Sequence, residues 1–276
     1  SFDDHHQCHA FYGYFTNPNK KNNIAILTAD GGGDGVYNTV SLFKNGKYKL
    51  FSRSRNNWIG KAYTAVTLYL GSNPFRHLYK VMGLAPYGVP QYKDLIFNKL
   101  IDLKEDGSFR LNQSYFNYAT GLTMINNKFT DLFGKPVRAT EEDRLTQFHM
   151  DIAASVQAVT EEVILTMTKS LAKEFNISNL CMAGGVALNC VVNGKILKDQ
   201  AFKNIWIQPA SGDAGGALGS ALAIWHKELN NPRKVNHNDS MKGSYLGPIY
   251  KQDLIEKELL DCGAKFDSVT DDEMIE

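Results

Sequence analysis

Four residues in this 276-residue chain have types and spacing suited to metal chemistry. They are His5 and His9 in DDHHQCHAFYGYF, Asp30 at the end of an apolar run, and Asp213 in SGDAGG. Asp4 is a natural cap, so residues 4–16 read as a short helix. On it His5 and His9 share one face, while His6 points about 100° away. A bare His-x-x-x-His is equally a pair of surface or satisfied core histidines, and Asp213 is equally a helix N-cap. Taken together, two imidazoles and two carboxylates suit a transition metal such as Fe, Mn or Zn; calcium or magnesium would want an all-oxygen shell. No Glu follows His5 directly, so the metalloprotease pattern does not apply.

Those residues need elements to hold them. Residues 24–30 read as a compact strand followed by Gly31-Gly32-Gly33-Asp34-Gly35, and residues 36–43 and 48–52 read as two further strands around Asn45-Gly46. This predicts an antiparallel meander with a glycine-rich, acidic first turn, either an ordinary hairpin loop or an ion-holding one. Residues 59–70 fit a buried helix, YKVMGLAPYG a helix ending in a turn, and 90–103 another helix, whereas 106–145 are mixed and poorly periodic. Between 147 and 175, Ile152, Val156, Val159, Val163, Met167 and Leu171 recur every three or four positions and predict one long helix with a buried stripe, His149 and Asp151 being its polar flank. Short strands over 179–183 and 204–208 then break at Gly184-Gly185 and at Ser211-Gly212-Asp213, each before a helical pattern. Helix-opening amides at such breaks suit an anion, and Lys80 can reach a phosphate or carboxylate. A helix and a strand are expected within 250–266.

The formal net charge of +1 gives no nucleic-acid footprint. No run approaches the ~20 apolar residues of a membrane span. Four scattered cysteines read as reduced and the protein as cytoplasmic. The ends, one without an initiator Met, read as those of a piece of something longer.

The segments DHHQCHAFYGYF, ILTADGGGDG, YKVMGLAPYG, FGKPVR with EEDRLTQFHMDIAASVQAVTEEV, LCMAGGVALNCVVNGK and PASGDAGGALGSAL resemble, in order, the motifs of the NodU-type O-carbamoyltransferases. More distantly they are similar to the subunit that attaches threonylcarbamoyl to tRNA. The resemblance covers nearly all of residues 4–228. It implies an α/β chain of the actin-like ATPase, sugar-kinase-like (ribonuclease H-like) two-lobe fold with an incomplete first lobe. Residues 1–146 are then the remainder of the first lobe, 147–228 the second α/β lobe, and 229–276 a linker and the start of a following region. The implied chemistry is transfer of a carbamoyl group from carbamoyl-adenylate to a hydroxyl of a small-molecule acceptor, with the adenylate made from ATP by a separate C-terminal domain. Matched by position, His5, His9, Asp30 and Asp213 fall on the metal ligands, expected to hold Fe(II) or a similar divalent ion, and Gly184, Gly185 and Asn189 on the nucleotide-binding turn. Lys80 and Gly60 fall on neighbouring positions, and Asp30 and Asp213 also border the nucleotide. His6 is the first candidate for a base. His77-Leu78 stands where the family usually has an acid-bearing pair. The alternatives are an ATP phosphotransferase and a non-catalytic nucleotide-binding module of the same fold.

Overall fold

The computed structural model describes residues 4–19, 23–55, 59–139, 144–235, 238–239 and 241–275. It comprises two compact units, Ser1–Val235 and Asn236–Glu276. The first opens with α1 (His5–Phe15), begun by the Asp4 side chain accepting from the Gln7 amide. Then follow β1 (Ile24–Gly33), β2 (Val36–Lys44) and β3 (Lys47–Ser54), joined as an antiparallel meander. Both connections are two-residue turns with positive φ at each position, Asp34-Gly35 and Asn45-Gly46, as hairpins of right-handed twist require. The glycine run is therefore mostly strand: β1 continues through it, with its register broken between Ala29 and Gly33.

Next come α2 (Ile59–Tyr69), α3 (Leu78–Leu84), α4 (Lys93–Lys99), β4 (Ile101–Leu103), β5 (Phe109–Leu111) and α5 (Asn127–Phe133). The single helix expected over 90–103 is thus a short helix and a strand, because Ile101 pairs with Leu111 in a separate antiparallel ribbon. The poorly periodic stretch also holds structure: Phe129 and Phe133 of α5 are buried and stack near Tyr69 of α2. The long helix α6 (Gln147–Phe175) buries the expected stripe, Met167 only partly. Asp151 is not a solvated flank. It is buried and accepts from the Val89 amide at 2.8 Å and from the Gln147 and Gln91 side chains, pinning the end of YKVMGLAPYG to α6, where Gly88 fits because a Cβ would lie 2.0 Å from the Met150 carbonyl oxygen. β6 (Asn179–Ala183), α7 (Cys190–Asp199), β7 (Asn204–Ile207) and α8 (Gly216–Ala223) complete this unit. The second unit holds α9 (Gln252–Asp261) and α10 (Asp271–Ile275); of the helix and strand expected within 250–266, the helix is α9 and no strand forms.

The main sheet runs β3-β2-β1-β6-β7, with β6 parallel to β1 and β7 parallel to β6. The meander and the later strands, read from sequence as parts of different lobes, therefore share one sheet. β1 is its central strand: Ala25, Leu27 and Ala29 face a core with α2 and α6, while Ile24 and Ile26 face a second core with Phe11 and Tyr14 of α1. A strand buried on both faces needs an apolar run, which 24–27 supplies, and the buried Thr28 is satisfied by hydrogen bonds to His6 and Thr39. No helix among the described residues is long and apolar enough to cross a membrane. The four cysteines are free.

Helices α1 and α8 lie close because Gly219 has no side chain: a Cβ there would sit 2.2 Å from the Cys8 carbonyl oxygen. Gly219→Ala must push α1, with its histidines, off α8. The expected cost is about 1–3 kcal/mol of unfolding free energy, the range of an overpacked core, measured by urea denaturation. A variant as stable as the wild type would show that α1 is not clamped there.

Candidate metal centre

Three parallel strands end side by side, and α1 crosses in front of them. In open α/β sheets the crevice beyond the carboxyl ends of the strands is where ligands bind. Asp30 is near the end of β1, Gly184-Gly185 follow β6, and Ser211-Gly212-Asp213 follow β7. His5 Nε2 lies 3.1 Å from Asp30 Oδ2, 2.9 Å from His9 Nε2 and 3.4 Å from Asp213 Oδ1. His9 Nε2 lies 3.6 Å from Asp213 Oδ1 and 4.0 Å from Asp30 Oδ2. The donor atoms of all four residues fall within 4.8 Å of one another. With metal–ligand bonds of about 2.0–2.2 Å, neighbouring donors in one shell stand about 3.0–3.5 Å apart, so this set is the right size for one ion.

Each member is positioned by local chemistry. The His5 amide, one of the unpaired first-turn donors of α1, gives its proton to Asp34 Oδ2 at 2.8 Å. Gly33 faces the His5 ring so closely that a Cβ would lie 2.2 Å from Cγ. Asp30 accepts from the Gly185 amide at 2.7 Å through Oδ1 and from the Gly32 amide at 3.2 Å through Oδ2. Asp4 is also held from outside α1, by Arg53 Nη2 of β3 at 2.5 Å. Gly60, at the start of α2, lets that helix lie against β1, since a Cβ would fall 2.9 Å from the Asp30 carbonyl oxygen.

Burial works against the charge on Asp30, yet the His5 contact and the Gly185 amide outweigh it and hold the carboxyl well below the usual carboxylate range. His5 is raised, chiefly by its hydrogen bond to Asp30 and against desolvation. Burial brings His9 down to about 4, so its imidazole is neutral near pH 7. Asp213 is three-quarters exposed and leaves the centre open on one side.

The profile of the family described as "Carbamoyltransferase N-terminus" matches residues 1–222. The chain belongs to that family. It is 51% identical over 261 residues to an uncharacterized protein, sll1178, of Synechocystis sp., covering 94% of this chain and 42% of that one. It is 32% identical over 265 residues to nodulation protein NolNO of Sinorhizobium fredii, covering 95% and 36%. A tRNA N6-adenosine threonylcarbamoyltransferase of Streptococcus suis is 23% identical over 208 residues, covering 74% and 55%. The chain thus spans about two-fifths of the length of its nearer relatives here.

Within this family member the four expected ligands converge, but His6 does not join them. It is buried, with Nε2 2.9 Å from the Val36 carbonyl oxygen and Nδ1 2.7 Å from Thr28 Oγ1. A carbonyl only accepts, so Nε2 donates and Nδ1 accepts from the threonine hydroxyl, leaving no free nitrogen for a base. Burial also lowers its pKa. His6 is a structural residue that ties α1 to the β1–β2 hairpin.

The glycine turn differs from expectation too. The Gly184 amide donates to the Ser211 carbonyl at 2.7 Å and the Gly185 amide to Asp30, so neither is spare for a phosphate. What Gly184 contributes is a φ of 92° and close approach, a Cβ there falling 2.3 Å from the Ala29 carbonyl oxygen. Asn189 caps α7 by accepting from the Val192 amide and exchanges amide hydrogen bonds with Gln157 of α6. Lys80 is exposed on α3. Sequence reasoning marked the Gly31–Gly35 turn as a whole but not the separate roles of Gly33 and Asp34, and it missed Tyr12, whose signal is its place three residues after His9 on the same helix face.

Two expectations follow for protein stripped with chelator. Gly33→Ala drives the His5 ring out of the cluster and should abolish tight uptake of one divalent ion by calorimetry; uptake as in wild type would mean the ring is not held there. His9 has a folded pKa of about 4 against about 6.5 unfolded, so between those values the unfolded chain binds more protons. Stability from this group is intact above pH 6.5 and declines toward pH 4. Relative to His9→Asn, the wild type should lose roughly 3 kcal/mol across that window in denaturant titrations at successive pH values. Parallel profiles would contradict a neutral, buried His9.

Proposed function

We propose that this chain is the transfer portion of an O-carbamoyltransferase, moving a carbamoyl group from carbamoyl-adenylate to a hydroxyl of a small-molecule acceptor. The observation that carries this reading is the convergence of His5, His9, Asp30 and Asp213 at the strand ends of a carbamoyltransferase family member. Two nitrogens and two carboxylate oxygens form a donor set suited to a divalent first-row metal, Fe(II) among them, and their two negative charges match its two positive ones. Such an ion, held by these four residues, would supply Lewis-acid polarisation of the carbamoyl carbonyl.

The protein's own residues do the rest. Asp30, fixed by the Gly185 and Gly32 amides, is the rigid ligand, and exposed Asp213 borders the open side by which substrates enter. Gly185, exposed and without a side chain, leaves room beside Asp30 for the adenylate. Asn189 supports that turn from below as the cap of α7, and Lys80 is an electrostatic partner for the phosphate on a neighbouring helix. The relatives named as threonylcarbamoyltransferases and the mixed sheet favour the actin-like, sugar-kinase-like fold; in this reading the adenylate is made by a separate C-terminal domain.

The test uses the full-length protein, anaerobically reconstituted. One divalent transition metal per chain is expected by elemental analysis, and His9→Ala should lose both the metal and about 10²–10³-fold of the transfer rate from supplied carbamoyl-adenylate. A wild-type protein that retains no transition metal, or a His9→Ala variant that keeps metal and rate, overturns the mechanism. ATP-dependent phosphorylation of the acceptor instead would favour the phosphotransferase.

A further inference from the structure

Tyr12 is fully buried on α1, and its hydroxyl meets partners from three elements. It donates to the Ser211 carbonyl, just before the turn that carries Asp213. It lies 3.2 Å from the Gly184 amide, which follows β6, and 2.7 Å from His9 Nδ1. Its ring fits because Gly215 has no side chain; a Cβ there would lie 2.8 Å from Cε1.

With the Tyr12 hydroxyl donating to Ser211, the proton count around it has one solution. A phenol has a single proton and otherwise accepts, a carbonyl only accepts, and an amide N–H only donates. The hydroxyl proton therefore goes to Ser211, and the Gly184 amide, which donates chiefly to the same carbonyl at 2.7 Å, shares its proton with the phenol oxygen as the longer arm of a bifurcated bond. Nothing remains for Tyr12 to give to His9, so Nδ1 of His9 must carry hydrogen and donate to Tyr12. A neutral imidazole protonated at Nδ1 has its lone pair on Nε2, the atom facing His5 and Asp213. The 2.9 Å contact between the two Nε2 atoms then has its hydrogen on His5.

We propose that Tyr12 is a positioning residue of this centre: its hydroxyl fixes His9 as the Nδ1–H tautomer and ties that ring to both glycine turns. The tautomer aims an electron pair where a cation would be bound, as metal-binding histidines require of their second nitrogen's partner. The link to metal rests on the carbamoyltransferase reading; the tautomer itself does not.

The test is nitrogen NMR on histidine-labelled, chelator-treated protein near pH 7.5, with calorimetric titration of Zn(II) as the probe. In wild type, His9 should show a protonated Nδ1 and an unprotonated Nε2. Tyr12→Phe keeps the ring and removes the hydroxyl; it should release His9 toward the Nε2–H form and weaken Zn(II) binding 10–100-fold. The assignment is overturned if wild-type His9 is already the Nε2–H tautomer, an outcome that needs no variant to fold. It is also overturned if folded Tyr12→Phe keeps both tautomer and affinity. Wild-type protein that takes up no divalent metal overturns the metal reading alone, and the tautomer comparison still decides the role of Tyr12.

Discussion

The carboxylate of Asp30 is where the sheet and the candidate centre become one object. Its Oδ1 accepts from the amide after β6, while its Oδ2 faces the first histidine of α1. The first contact requires β1 and β6 to be parallel neighbours in register, Ala25 beside Leu180 through Thr28 beside Ala183. That pairing buries β1 on both faces and aligns the ends of β1, β6 and β7. A buried carboxylate is costly when unpaired, so the amide donors and His5 are what allow Asp30 to exist in this position.

The helix that brings the histidines is restrained as tightly as the carboxylate. Asp4 begins it, Arg53 grips Asp4 from β3, Asp34 takes its first amide, and Gly219 lets α8 press on its far side. His6 anchors the same helix from below through Val36 and Thr28, with Thr28 in turn bonded to Thr39 of β2. Of the two adjacent histidines, one is exposed enough to react and the other is structural. The difference is only the direction of the side chain about the helix.

Much of this was legible in the sequence. The apolar run before Asp30, the stripe of α6 and the strand–glycine–helix units are periodicity signals with direct physical causes. The histidine pair of the candidate centre was legible because helix spacing alone puts His5 and His9 on one face, whereas Asp30 and Asp213 were marked only by the glycine turns beside them. Hidden from local pattern were the facts that depend on pairing: that the meander joins β6 in one sheet, and that Ile101 turns into a ribbon with Leu111. The role of His6 was hidden for the same reason, since its partner Val36 lies 30 residues away. Glycine misled in one respect. At Gly184 and Gly33 its value is the space it vacates, and the Gly184 and Gly185 amides expected to greet an anion are spent inside the protein.

The proton arrangement explains how such a cluster is tolerated before any substrate is considered. Two carboxylates in one pocket repel each other, and two imidazoles with nitrogens 2.9 Å apart cannot both point hydrogens inward. With His9 neutral and its lone pair inward, the hydrogen on His5 Nε2 is attracted both to that lone pair and to Asp30. The single positive charge favoured on His5 thus offsets part of the acidic charge and keeps the donors at coordinating distances. For His5 Nε2 to bind a cation it would have to release that proton, so occupation of the centre would be linked to proton release.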